Sequence, residues 1–445
     1  MSKLGDFVKV QGGYAFKSSE LSDDKIGVPV IKIGNITGGS FVDLSNYQSV
    51  SFQLFEKTKS FATKDNDILI AMTGANVGKT SRVPVNSDTY LINQRVGRFL
   101  LKDDCPYTSD FIYYVVSSKQ AYQYFSRVAD GAAQPNISGK TIEDFEFPNL
   151  DSRYANKIGD ILKSLDDKIQ LNSQINQTLE QIAQTIFKSW FIDFDPVHAK
   201  AEALANGQTA EQATQAAMAV ISGKNTQELH RLQTANPEQY QQLWEIAEAF
   251  PSGFDEEGVP RGWEERELSY LFEFLSGAQP PKSEHIYEEK EGYERFIQNR
   301  DYSNDNHKTY IPISKKNKRC TEKDILMDKY GEAGKVRYGI KGAYNVALAK
   351  IVPQKDNLRE FLRSYFTQDK IRNYLSSSSM ASTRNSLNST TFTRMKVIVP
   401  NDFLLSTFDK LANEKIDKIL QIKQENIELS KLRDYLLPKL LSGEV

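Results

Sequence analysis

The stretch DILIAMTGANVGKT, residues 67–80, carries the residues that come nearest to a known chemistry. Gly74, Gly78, Lys79 and Thr80 follow an apolar, strand-like run, close to the arrangement with which a P-loop wraps backbone N–H groups around nucleotide phosphates. That loop needs four residues between its first glycine and the Gly-Lys pair, and here only Ala75, Asn76 and Val77 intervene. No acidic strand end that would hold magnesium follows. Metal chemistry has equally little support. Cys105 and Cys320 are too few and too far apart for a zinc site or a disulfide framework, and His198, His230, His285 and His307 do not fall at metal-ligand spacing.

What positions the glycine stretch is clearer, because the chain is written twice. The stretch returns as DILMDKYGEAGKV at residues 324–336, with Asp67 matching Asp324, Gly74 matching Gly331 and Gly78-Lys79 matching Gly334-Lys335 after one deletion. A loop whose length drifts between copies is not a phosphate cradle; both copies keep a strand, a tight glycine turn and a lysine. Further anchors follow in the same order. Phe7, Val10, Gly12 and Lys17 pair with Phe272, Leu275, Gly277 and Lys282, and VIKIGNI at 30–36 pairs with FIQNRDY at 296–302. Asn93 and Asn345 also correspond, as turn caps more readily than as recognition residues.

Each half ends in a long amphipathic segment. Ile158, Ile161, Leu165, Ile169, Ile175, Leu179, Ile182, Ile186 and Trp190 recur at coiled-coil steps, as do Phe408, Leu411, Ile419, Ile422, Leu429, Leu432, Leu436 and Leu440. Asn176 and Asn426 fall at equivalent seam positions, where a buried amide fixes register; two surface helices with an exposed Asn on each are the alternative. Pro438 is expected to end or kink the second helix. The spacing gives an α+β chain: mixed α/β domains at 1–150 and 263–402, long helices at 151–195 and 403–445, and an Ala/Gln-rich helical connector at 196–262. A long antiparallel two-helix coiled coil separates the two domains, with a pseudo-two-fold internal repeat. A helix of about 33 residues is roughly 50 Å long, more than the roughly 34 Å of one DNA turn. It suits a ruler between two half-sites.

Composition is that of a globular protein, 39% hydrophobic and 26% charged, with a formal net charge of −2. No apolar run approaches a bilayer span, and MSKLGDFVKV has no signal-peptide core, so a cytoplasmic protein without membrane partners is expected. Net charge says little against DNA, which needs only a local basic face. The cluster Lys315, Lys316, Lys318 and Arg319 is such a face or a solvated loop.

The chain resembles the DNA specificity subunits of type I restriction–modification enzymes, essentially end to end. The resemblance rests on GGYAFKSSEL, VPVIKIGNI and DILIAMTGANVGK in the first half. It rests most specifically on LNSQINQTLEQIAQTIFKSWFIDFDPV, VPRGWEERELSYLF and LSKLRDYLLPKLLSGEV. It implies two target recognition domains that each read one part of a bipartite sequence in double-stranded DNA. The long helices would form the spacer and dock two methyltransferase subunits that methylate adenine, with restriction subunits joining that core. S-adenosylmethionine, ATP and Mg would sit on those partners, and no cofactor on this chain. The sequence agrees, having no Asn/Asp-Pro-Pro-aromatic motif and no Gly-rich cofactor loop after a strand. The alternative is a double-headed adaptor for protein or single-stranded nucleic acid, although strand-spaced aromatics for base stacking are not seen.

The candidate DNA contacts follow. In the first half they are Lys17, Thr73, Gly74, Asn76, Lys79, Gln134 and Asn136; in the second, Lys282, Arg300, Tyr330, Gly331, Lys335, Arg337, Arg384 and Asn385. Amide and guanidinium groups suit base edges and lysines suit phosphates. A hairpin turn remote from DNA remains the competing reading of both glycine stretches. Trp190, Phe191, Leu436 and Leu440, near the helix ends, are the candidate partner anchors, with a core role open for the two aromatics.

Overall fold

The computed structural model describes residues 2–85, 88–129, 135–303, 307–380 and 386–443. The chain divides into two compact units, Met1–Asn172 with Gln424–Val445, and Ser173–Lys423.

In the first unit an antiparallel sheet has the order β1-β7-β4-β5, formed by Val8–Gly12, Val96–Leu101, Ile68–Ala71 and Thr80–Arg82. A second sheet joins β2 (Val28–Ile31) to β3 (Gln48–Val50) antiparallel and to β6 (Leu91–Ile92) parallel, with α1 (Phe52–Thr58) following β3. Helix α2 (Ser109–Val116) starts where the Thr108 side chain accepts from Phe111 N, and its residues from Phe111 to Val116 are all buried. Such a continuously apolar helix belongs in the middle of a core. Helices α3 (Lys119–Ala129) and α4 (Gly139–Glu143) complete the domain.

Between the long helices lie α6 (Asp195–Ala205), α7 (Ala210–Ser222), α8 (Thr226–Ala235) and α9 (Pro237–Glu248). The second unit then repeats the first. The sheet β14-β13-β16-β9 (Val336–Arg337, Ile325–Asp328, Leu348–Pro353, Phe272–Ser276) is again antiparallel. The smaller sheet again contains one parallel pair, β10 (Tyr293–Ile297) with β15 (Gly342–Tyr344), flanked by β11 (Tyr310–Pro312) and β12 (Arg319–Cys320). Strands β8 (Glu264–Glu267) and β17 (Lys396–Val399) form a separate ribbon, and α10 (Arg359–Thr367) and α11 (Asp369–Met380) stand where α2 and α3 stand before.

The ladders shift the first block of sequence pairings by one residue, so that Val8 and not Phe7 matches Phe272, and Gln11 and not Val10 matches Leu275. Gly13, not Gly12, is the counterpart of Gly277. A Cβ on Gly13 would lie 2.2 Å from Ile92 O, and one on Gly277 2.1 Å from Asn345 O. Only glycine fits where the end of a strand presses on the backbone of a neighbouring turn. In those turns Asn93 Oδ1 accepts from Arg95 N and Asn345 Oδ1 from Ala347 N, so both asparagines cap backbone.

The long helices are α5 (Ser152–Phe191) and α12 (Asp402–Ser442). Within the first unit, Asn172 Nδ2 donates to Asn426 Oδ1 at 2.8 Å, and Asn426 Nδ2 to Ile169 O. Within the second, the Phe187 and Phe408 rings lie 5.7 Å apart. Within the first unit Asp166 also meets Arg433, so partner numbers rise on one helix as they fall on the other and the pair is antiparallel there. Asn426 takes Asn172 as its partner across the seam, and Asn176 is buried; in an antiparallel pair, residues that correspond in the repeat do not meet. Helix α12 also runs through Pro438 to Ser442. So close to a helix end the missing N–H and the ring clash disturb only the last turn.

Candidate nucleic-acid interface

The turn after β4 is tight and closed on itself. Gly74 and Gly78 have φ of +75° and +81°, and their counterparts Gly331 and Gly334 have +71° and +90°. Gly78 N donates to Ala71 O and Lys79 N to Asn76 O, as Gly334 N does to Asp328 O and Lys335 N to Glu332 O. N–H groups spent in this way do not cradle phosphate. A Cβ on Gly78 would sit 2.9 Å from Phe125 Cβ, and one on Gly334 2.7 Å from Leu375 Cβ. The second glycine thus seats the turn on α3 or α11, with Val77 and Ala333 buried and Ala75 and Glu332 exposed.

A distant loop comes to this turn. Gly74 N donates to Pro135 O and Ile137 N to Met72 O, which sets Thr73 opposite Asn136 in an antiparallel bridge. In the second unit Leu387 N reaches Lys329 O in the same way, beside Tyr330 and Gly331. Thr73, Gly74 and exposed Asn136 therefore share one surface. Gln134, Arg384 and Asn385 lie outside the described residues. Asn76 and Lys79 are brought together: Asn76 Oδ1 accepts from Lys79 Nζ at 2.9 Å while its Nδ2 holds Ile33 O. Lys335 pairs with Glu332 at 2.7 Å, and that bond holds the Glu332 carboxyl below its usual range. Arg300 is exposed and leans on Thr309 and Asp301, and Lys17 and Lys282 are exposed beside short turns.

Four of the candidate residues are buried: Arg337, Trp190, Phe191 and Leu440. Arg337 is 9% exposed, and its guanidinium grips Asp328 at 2.7 and 3.1 Å and Glu332 at 2.9 Å. Burial works against its charge, but the Asp328 carboxylate outweighs that and holds the guanidinium pKa up. In this arrangement its guanidinium serves as an internal strut between Asp328 and Glu332. Trp190 and Phe191, 3% and 2% exposed, lie in an aromatic core with Phe250, Phe361 and Phe408, the core role left open by the sequence. Leu440, also buried, belongs with half-buried Leu436 to the core of the first unit.

The family described as type I restriction modification DNA specificity domain matches residues 1–181 and again 260–433. The chain belongs to that family. The type I restriction enzyme HindI specificity subunit of Haemophilus influenzae is 33% identical over 444 residues, spanning 94% of each chain. The MjaIX specificity subunit of Methanocaldococcus jannaschii is 26% identical, over 100% of this chain and 93% of its own. A solved type I restriction–modification S subunit from M. genitalium covers 98% of the chain with a TM-score of 0.52 at 16% identity and shares the fold. As a type I specificity subunit the chain recognises DNA sequence in company with other restriction–modification subunits, which disfavours the double-headed adaptor. Among the described residues no helix is long and apolar enough to cross a membrane.

This specificity subunit also holds a buried polar cluster that sequence reasoning missed: Arg82, Asp166, Tyr114 and Arg433, with Arg82 and Asp166 each 1% exposed. A signal existed. The inward face of α5 runs Ile158, Leu162, Asp166, whereas Ile161 is 40% exposed. The periodicity placed Leu165 on the seam and stepped over the carboxylate beside it.

Proposed function

We propose that each unit reads one part of a bipartite, asymmetric DNA target, with recognition domains at 1–150 and 263–402. The observation that carries this is the repeated turn with unlike residues: Thr73-Gly74-Ala75-Asn76 in one unit, Tyr330-Gly331-Glu332 in the other. Equal scaffolds with unequal tips suit unequal half-sites. Asn136 and Thr73 offer hydrogen bonds to base edges, while Lys17, Lys282 and Arg300 offer charge to phosphates. Lys79 and Lys335 join them by exchanging their intramolecular partners for phosphate. Tyr330 supplies an exposed aromatic contact.

In this reading the chain is non-catalytic and cytoplasmic. It docks two adenine methyltransferase subunits, through which restriction subunits join, and S-adenosylmethionine, ATP and Mg act on those partners. The test is to purify the chain with an adenine methyltransferase subunit and map methylated adenines on genomic DNA. A two-part motif with unlike halves and a fixed gap is expected. A gapless or palindromic motif, or ATP turnover by the chain alone abolished by Lys79→Ala, overturns the reading.

A further inference from the structure

One carboxylate in the first unit gathers four donors. Asp166 Oδ2 accepts from Arg82 Nη2 at 2.8 Å and from the Tyr114 hydroxyl at 2.7 Å. Its Oδ1 accepts from Arg433 Nη1 at 2.7 Å and from Ser40 Oγ at 2.9 Å. The donors arrive from the edge strand β5, from α2, from α12 and from the loop after β2, while Asp166 itself is on α5. A second carboxylate, Asp110, takes the other arm of Arg82 at 3.1 Å, and the guanidinium lies 4.2 Å from the centre of the Tyr113 ring. Sheet, core helix, loop and both long helices thus meet at one buried group. Bonds between charged partners are short and directional, so the joint has a single geometry.

The second unit builds the same joint differently. The β13–β14 ladder puts Tyr338 in the place of Arg82, and the helix repeat puts Ile416 and Ala183 in the places of Asp166 and Arg433. There the strand edge reaches α5 through one bond, Tyr338 hydroxyl to Glu180 at 2.5 Å, beside a cavity of about 260 Å³. A duplicated fold has therefore kept the position and changed the chemistry. Buried ion pairs add little stability, since apolar replacements of similar volume are often neutral or stabilising.

We propose that Asp166 is a positioning residue for target recognition. Its four-donor clamp sets the first recognition domain at one angle on its helix pair, and so holds the first half-site in one rotational phase. The proposal rests on the bipartite reading. Successive base pairs are rotated by about 34°, taking 10.5 pairs per turn. Angular play of that size admits a gap one pair longer or shorter, and a rigid joint excludes it.

The experiment uses the full chain with its methyltransferase subunits and a ladder of duplexes whose gap is the parental one, one pair shorter or one pair longer. The parental complex is expected to prefer its own gap by about 100-fold, the usual penalty for a misplaced reacting group. Replacing the cluster by apolar residues of similar size (Arg82→Met, Asp166→Leu and Arg433→Met together) keeps the joint filled and removes its three central charges, leaving Asp110 at the partly exposed rim. Preference is expected to fall below about tenfold while the rate at the parental gap changes by less. A folded triple variant that keeps the parental preference overturns the proposal. Should the variant not fold, hydrogen exchange on the unaltered chain decides. The amides of β5 and of residues 164–168 on α5 are expected to open together, and earlier opening of β5 overturns the clamp. A parental complex indifferent to the gap overturns the bipartite reading itself, a result separable from either of these.

Discussion

Replacing Arg337 by Met separates a strut from a DNA contact. Asp328 is 1% exposed, Arg337 supplies both of its ion-pair bonds, and Asp328 Oδ1 has no partner among the described residues. Methionine keeps most of the packing and leaves a buried carboxylate without its counter-charge. Breaking one side of such a pair costs about 3–5 kcal/mol, a large part of the roughly 5–15 kcal/mol that holds a domain folded. The loss depends on pH in a definite direction. Burial pushes the Asp328 pKa up, and the Arg337 bond and charge pull against that. Without Arg337 the folded-state value rises further above the unfolded value of about 3.9. A raised folded pKa contributes stability that is present below the unfolded value and lost as pH rises through the folded one. The deficit of the variant is therefore greatest at neutral pH and narrows on acidification. Urea unfolding of parent and variant at pH 7.5 and pH 5.5 reads both effects. DNA binding across a salt series, below the unfolding temperature, reads the other possibility. A variant as stable as the parent, with its salt slope smaller by about one, would show that Arg337 meets phosphate and would refute the strut.

Alanine at Gly277 should cost about 2–3 kcal/mol, because its Cβ lands 2.1 Å from Asn345 O. Alanine at Gly331, where space is open but φ is +71°, should cost about 1–2 kcal/mol; denaturant midpoints that reverse this order would mean that the turn at Asn345 yields. Lys17→Ala, Lys282→Ala and Arg300→Ala should each lower the salt slope of DNA binding by about 0.9 without changing base preference, and an unchanged slope removes that residue from the interface. Trp190→Ala should destabilise by about 3–5 kcal/mol through its lost core contacts, while the affinity of the folded variant for methyltransferase subunits stays as it was; selective loss of that affinity restores a docking role.

The repeat was legible because duplication leaves collinear anchors even where single matches are weak. The apolar runs of β4 and β13 and the positive-φ glycines after them follow from strand and turn chemistry alone. Long-range partners were not legible. Nothing local in VPVI says that β2 lies parallel to β6 and antiparallel to β3. The one-residue slip of the first block of pairings, Phe7 for Val8 as well as Gly12 for Gly13, is one that residue matching cannot resolve, whereas the ladders and a backbone oxygen 2.2 Å from the site of a Cβ on Gly13 can. The candidate site suffered most where charge was taken as exposure. Arg337 reads as a phosphate ligand until Asp328, nine residues earlier in the chain, is seen across the hairpin. Asp166 was passed over for the opposite reason, as a polar residue in an apolar repeat. The loop of Asn136 was placed near the glycine turn only by the fold, through Met72 O and Pro135 O.

A chain that carries one fold twice must also avoid assembling itself crosswise, a common failure of repeated sequences. Had both joints been built from the same residues, the sheet of the first half could settle on the helix segments that belong to the second. The residues waiting there are Ile416 and Ala183, with no acid at either position. Arg82 would then exchange a buried carboxylate shared with three other donors for Glu180, the exposed acid that holds Tyr338 there. The cluster around Asp166 is therefore expected to act during folding as an address, favouring its own end of the helices before any partner or DNA is present. A triple variant that lacks it should lose refolding yield even where its equilibrium stability is unchanged.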